Sequence, residues 1–143
     1  MAVTLLDDHL LRDWLAEPDA SLRRALRRAR VATTNLWYAR LCKSAAGSGG
    51  GALLGTWSAT ERDVLIAGLV ALPGTVEVIP MQQLAWRMGQ LVHSYGGLST
   101  LGAEAVAAGE HLGAKLLVSA RDDGPGIRNA CAALGIKYST LER

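Results

Sequence analysis

A chain of 143 residues, half of them hydrophobic and a fifth charged, is long enough to bury one core and is expected to form a single domain over residues 1–143. Cys42 and Cys131 lie far apart with no CxxC or Cys/His spacing, which speaks against a disulfide scaffold and a zinc site. The net charge is only +2, Asp7 and Asp8 stand where a signal peptide would be basic and then apolar, and no apolar run approaches a membrane span, so a cytoplasmic protein with reduced thiols is expected.

Four Trp, three Tyr and no Phe leave the core mainly to Leu, Val and Ala. Val3–Leu6 reads as a short buried strand that ends at Asp7-Asp8. A helix is expected from His9 to Ala16, with Leu10, Leu11, Trp14 and Leu15 on its apolar face. Pro18, Asp19 and Ser21 restart the chain, with Ser21 as N-cap of a helix over Leu22–Ala29. Its outer face carries Arg23, Arg24, Arg27 and Arg28. From Ser21 to Lys43 there are seven basic residues and no acidic one. That asymmetry suits either a solvated surface or a strip that binds the phosphates of RNA or an acidic partner.

Val31-Ala32 reads as a second strand, followed by Thr33-Thr34 and a helix from about Asn35 to Lys43. Ala45–Gly51 is too glycine-rich to continue it and reads as a loop; without Gly-Lys-Ser/Thr it is not a phosphate-binding P-loop. Ser58 and Glu61 form a capping box that opens a helix running to Val70. Val76–Ile79 is a third strand, stopped by Pro80, and a helix follows over Gln82–His93. Leu98–Asp123 then supplies a helix, a turn at Gly113-Ala114, a strand at Leu116–Val118 and two carboxylates, Asp122 and Asp123. Ile127–Leu134 is a last helix capped by Gly135, and Ile136–Tyr138 a fifth strand.

Short apolar strands alternating with helices predict an α/β fold with a central parallel five-stranded sheet and helices on both faces. Ligands of such sheets sit beyond the carboxyl ends of the strands. Asp7-Asp8 follows strand one and Asp122-Asp123 follows strand four, so they converge if those strands are neighbours. In the long helix, Leu101, Ala105, Ala108 and Leu112 make a narrow apolar stripe with Glu104 at its edge, while Glu110 projects from the opposite face. A carboxylate carried into a core is costly unless it is paired or metal-bound.

The order of parts resembles a PIN domain, the small α/β nuclease module of toxin–antitoxin ribonucleases and RNA-processing factors. LLDDHLL, VATTNLWYARL, TVEVIP, AEAVAAGEHLGAKLLVSARDD and GIKYS carry the likeness over nearly the whole chain. It implies an endoribonuclease that gathers acidic residues around Mg²⁺ or Mn²⁺. Asp7 fits the first acidic position. The glutamate expected on the helix after strand two falls within Leu36–Leu41, where Arg40 stands. The aspartate expected early in the long helix falls at about Gly102, leaving Glu104 as a shifted candidate. The last acid aligns near Arg121, one residue before Asp122. The implied catalytic and metal-binding set is therefore Asp7, Glu104 and Asp122, with Arg40 either paired to Asp7 or contacting substrate phosphate. A homodimer and a small antitoxin-like partner follow from the same likeness.

Each candidate also has a plainer reading. Asp7 could cap the helix after it, Asp122 and Asp123 could stabilise a turn, Glu104 could pair with an arginine, and His9 could be an ordinary polar neighbour. The tryptophans read as core or interface. A response-regulator receiver also opens with an acidic pair, but it needs an aspartate after strand three, where Pro80-Met81 stand. The alternative to an active nuclease is a catalytically silent PIN-like module that binds RNA or a protein partner. Asp7 salt-bridged to Arg40 would favour that alternative.

Overall fold

The computed structural model describes residues 2–47 and 51–143. Five strands, β1 (Ala2–Leu6), β2 (Ala29–Thr34), β3 (Val76–Ile79), β4 (Lys115–Ser119) and β5 (Tyr138–Leu141), form one parallel sheet in the order β3-β2-β1-β4-β5. The α/β class and the parallel five-stranded sheet read from the sequence are those of the structure. β1 lies at the centre with β2 and β4 on either side, and Leu6 is in register with Leu117. Strands one and four are therefore neighbours, and the chain reverses its order of winding between them.

Pleating sends alternate residues of β1 into two cores. Leu5 enters one core with α6 (Ala85–Ser94), α7 (Thr100–Leu112) and α8 (Pro125–Leu134). Leu6 enters the other with α1 (Asp8–Ala16), α2 (Ala20–Ala25), the single turn α4 (Gly51–Leu54) and α5 (Ala59–Val70). Helix α3 (Asn35–Ala46) contributes to both, through Trp37 on one side and Leu41 and Ala45 on the other. No helix among the described residues is long and apolar enough to cross a membrane.

Helix α7 is more deeply set than a single apolar stripe implies. Gly102 to Gly109 are all buried, because α6 and α8 flank the helix while the sheet lies under it. Its small residues make that possible: a Cβ at Gly109 would stand 2.6 Å from Leu116 Cδ1. The expected edge position of Glu104 is thus a fully buried one. Glu110 is exposed, as read, and takes two bonds from Arg87 at 2.7 and 3.0 Å.

Several boundaries differ from the sequence reading. Asp19, not Ser21, caps α2, accepting from Leu22 N at 2.9 Å while the Ser21 hydroxyl donates to Asp19 at 2.7 Å. That helix stops at Ala25 rather than Ala29, because Ala29 is committed to β2 opposite Ala2. Met81–Gln83 forms a 3-10 turn before α6 begins at Ala85. β5 starts at Tyr138 and runs to Leu141, aligned by Leu116 and Ser119 of β4. Helix α3 extends to Ala46; of the expected glycine-rich loop, residues 48–50 lie outside the described residues. The capping box of α5 is present in both halves, Glu61 N to Ser58 Oγ at 3.2 Å and Ser58 N to Glu61 Oε1 at 3.1 Å.

Candidate functional site

Asp7 leaves the carboxyl end of β1 and the chain turns at once into α1. Its Oδ1 accepts from Leu10 N at 3.0 Å, the N-cap arrangement, and its Oδ2 accepts from Ser119 N at 2.9 Å. One side chain therefore caps the helix and ties the end of β1 to the end of β4. Both oxygens face backbone donors in a fully buried setting. Burial pushes the Asp7 carboxyl up to about 7 against those two bonds, and Asp122 and Asp8 add to the rise by like-charge repulsion.

Asp8, the first residue of α1, is also fully buried. Its Oδ1 accepts from His9 N at 2.9 Å and its Oδ2 accepts from Arg40 Nε. Arg40 Nη2 then reaches Asp122 Oδ2 at 2.9 Å. Asp122 sits in the short 3-10 turn Ala120–Asp122 directly after β4. His9 Nδ1 lies 3.1 Å from the same Asp122 oxygen, 3.2 Å from Asp8 Oδ1 and 4.0 Å from Asp7 Oδ2. The bonds to Asp122 and Asp8 outweigh burial and push the imidazole up to about 9, so His9 is a cation at neutral pH. Burial alone would raise Asp8, but His9 and Arg40 together reverse that and hold its carboxyl well below the usual range. Two cations thus sit between two aspartates.

Asp7, Asp8, His9 and Asp122 each offer one ligand atom, all within 4.8 Å of one another, and the group could hold a metal ion. Carboxylate oxygens suit a hard divalent cation and an imidazole suits Mn²⁺ better than Mg²⁺. The same atoms are already in use, however. Both oxygens of Asp7 and both of Asp8 accept hydrogen bonds, and Asp122 Oδ2 meets Arg40 and His9 together.

Of the sequence candidates, Asp7 and Asp122 come together here and Glu104 does not join their ligand group. Glu104 is 0 % exposed, and its Oε1 accepts from Leu36 N at 2.9 Å in the first turn of α3. Its Oε2 is buried without a partner. Burial raises its carboxyl, while the bond from Leu36 N and the nearby donors of Thr34 and Asn35 oppose that rise. It is a buried helix-terminus acid, not one paired to an arginine. Arg40 does not pair with Asp7 as expected; both Asp7 oxygens are taken by backbone N–H groups, and the guanidinium goes to Asp8 and Asp122. Asp123 instead accepts from Arg128 at 2.6 Å and Tyr138 at 2.7 Å, a surface arrangement outside the group.

Arg23, Arg24, Arg27 and Arg28 are exposed on α2 and the turn that leads into β2. They precede the first residue of that strand, so they belong to the amino edge of the sheet, opposite the acidic centre. Trp37 is core, Trp14 and Trp57 are half-buried, and Trp86 is 82 % exposed. The sequence places Asp8 beside Asp7 on this edge and His9 next to it, but the expected ligand set of Asp7, Glu104 and Asp122 leaves both out, whereas they belong to the group. The available signal was Arg40 itself: a guanidinium facing the strand ends needs carboxylate partners, and two adjacent acids after β1 supply one beyond Asp7.

No protein-family model matches the chain, and no curated protein matches it.

Proposed function

We propose that this chain is a PIN-like module that is catalytically silent and binds RNA. Arg40 carries this reading. It stands where the family likeness expects a glutamate, and it ties Asp8 to Asp122 while His9 bonds the same pair. A divalent ion entering the group must displace the guanidinium and the imidazole proton, and both cations repel it. The second departure from the likeness is steric. A Cβ at Gly102, where an aspartate is expected, would lie 2.9 Å from Leu98 Cδ1 and 3.0 Å from Ile127 Cγ1. RNA is favoured over a protein partner by the exposed face of Arg23, Arg24, Arg27 and Arg28, for which the described residues provide no ion-pair partner.

The test combines calorimetric titration with Mn²⁺ and incubation with a mixed RNA pool, using the wild type, Asp7→Asn and Arg40→Glu. The silent reading expects no saturable Mn²⁺ binding and no cleavage by the wild type, with Mn²⁺ binding gained in Arg40→Glu. Metal-dependent cleavage that disappears in Asp7→Asn would overturn it. That outcome would favour the second reading, a Mg²⁺- or Mn²⁺-dependent endoribonuclease. The 4.8 Å clustering of four ligand atoms at the carboxyl edge of the sheet supports that reading.

A further inference from the structure

Beside the acidic centre, a cavity of about 280 Å³ opens between α3, the start of α7 and the start of α8. Its lining includes Trp37, Arg40, Ser99, Asp122, Gly126 and Ile127. Two helices of 13 and 10 residues begin at this wall, so the positive ends of both point towards it. The first turn of α8 has no side-chain cap, which leaves the N–H groups of Gly126 and Ile127 open. Gly126 holds that turn in close approach to the neighbouring loop, since a Cβ there would meet Gly97 O at 2.5 Å.

The independent observation is on α3. Trp37 and Arg40 are three residues apart in that helix and therefore share a face. Trp37 is 1 % exposed, and its indole N–H is buried with no hydrogen-bond partner. A buried indole N–H ordinarily has an acceptor, and leaving it without one is costly. Arg40 uses Nε on Asp8 and Nη2 on Asp122, so Nη1 and one hydrogen of Nη2 remain for another acceptor. Asp122 is the one carboxylate in the lining, and its Oδ2 meets both Arg40 and His9. The open groups on the Trp37, Arg40 and α8 side of the cavity are donors, and the second oxygen of Asp122 is an acceptor that a protonated phosphoryl oxygen can meet.

We propose that this cavity binds the phosphoryl group of a phosphate monoester. The oxygens take the Trp37 indole N–H, the free donors of Arg40 and the open N–H groups at the start of α8, with the α7 terminus adding its positive end. Such a group could come from a mononucleotide or from the 5′ end of an RNA. The site requires neither a metal nor cleavage, and so stands or falls apart from the PIN-like reading.

The test follows the four indole N–H signals of the ¹⁵N-labelled protein by NMR at constant ionic strength. The Trp37 signal is assigned by its absence in Trp37→Phe. The probes are inorganic phosphate, a nucleoside 5′-monophosphate, and a ribodinucleotide with either a 5′-phosphate or a 5′-hydroxyl. A saturable downfield movement of the Trp37 signal with the phosphate-bearing probes alone is expected, and the tightest of them identifies the source. Ser99→Asp keeps a good N-cap on α7 while adding a negative charge at the wall, and should weaken binding about tenfold or more. Trp37→Phe, read by the backbone amides of Gly126 and Ile127, should weaken it about tenfold. A Trp37 signal that ignores every phosphate-bearing probe, or binding that is unchanged in Ser99→Asp, would overturn the proposal.

Discussion

Asp8 and Glu104 are both 0 % exposed and both lie by the first turn of a helix, yet their proton affinities move in opposite directions. Burial raises each of them. Asp8 is then carried the other way by His9 and Arg40, whereas Glu104 meets only Thr34 and the backbone of α3. Fully buried carboxylates are therefore not equivalent; the reach of a cation decides which one is charged. The acidic centre is charged and internally compensated, and the Glu104 site is a single acid with one oxygen unpartnered.

The largest change should come from removing the compensation. Arg40→Leu leaves Asp8 buried with only His9 beside it and is expected to cost about 3 kcal/mol of stability at pH 7 in urea unfolding. A loss below about 1 kcal/mol would mean that Asp8 does not need its guanidinium. Next in size is the pH dependence. His9 rises from 6.5 to about 9 on folding, so its bonds stabilise fully below pH 6.5 and their contribution is lost as the pH climbs through 9. Asp7, raised from 3.8 to about 7, releases its proton first in the unfolded chain, so stability also declines between pH 3.8 and 7 and is level above. Urea midpoints should therefore fall from pH 5 to pH 9, and His9→Gln should flatten the upper part, an effect on the order of 2 kcal/mol.

Glu104→Gln should change stability by less than about 1 kcal/mol, because the site is already disposed to hold a proton. Any gain should grow as pH rises above the ordinary glutamate value of 4.5, since ionisation there opposes folding. A large loss at pH 8 would show Glu104 to be a needed anion and would erase its contrast with Asp8. The smallest effect is expected at the exposed arginines. Replacing Arg23, Arg24, Arg27 and Arg28 with Ser should leave stability within about 0.5 kcal/mol while lowering RNA affinity at low salt and flattening its salt dependence.

The amino-acid order makes the sheet legible, because short apolar runs such as Val76–Ile79 and Leu116–Val118 are local signals. It also places Asp7 and Asp122 on one edge, since the residue after a strand stays at that strand's end. Partner choice is less legible. His9 and Asp122 are 113 residues apart, and Arg40 bonds Asp8 and Asp122 while Leu10 and Ser119 donate to the two Asp7 oxygens. The bounds of β5 are hard to read from the sequence for a related reason. Tyr138–Leu141 is half-buried at the edge of the sheet and carries no apolar run of its own, so its register comes from β4. The depth of Glu104 likewise depends on α6 and α8 closing over α7.

Helix α3 has a further consequence for how the molecule comes apart. Trp37 is anchored in the core on one face of the sheet, and Leu41 and Ala45 in the core on the other. Neither core can open without drawing this helix out of its partner. The two faces should therefore behave as one cooperative unit, with the slowest-exchanging amides of β1, α3 and α7 sharing a single opening free energy in hydrogen exchange.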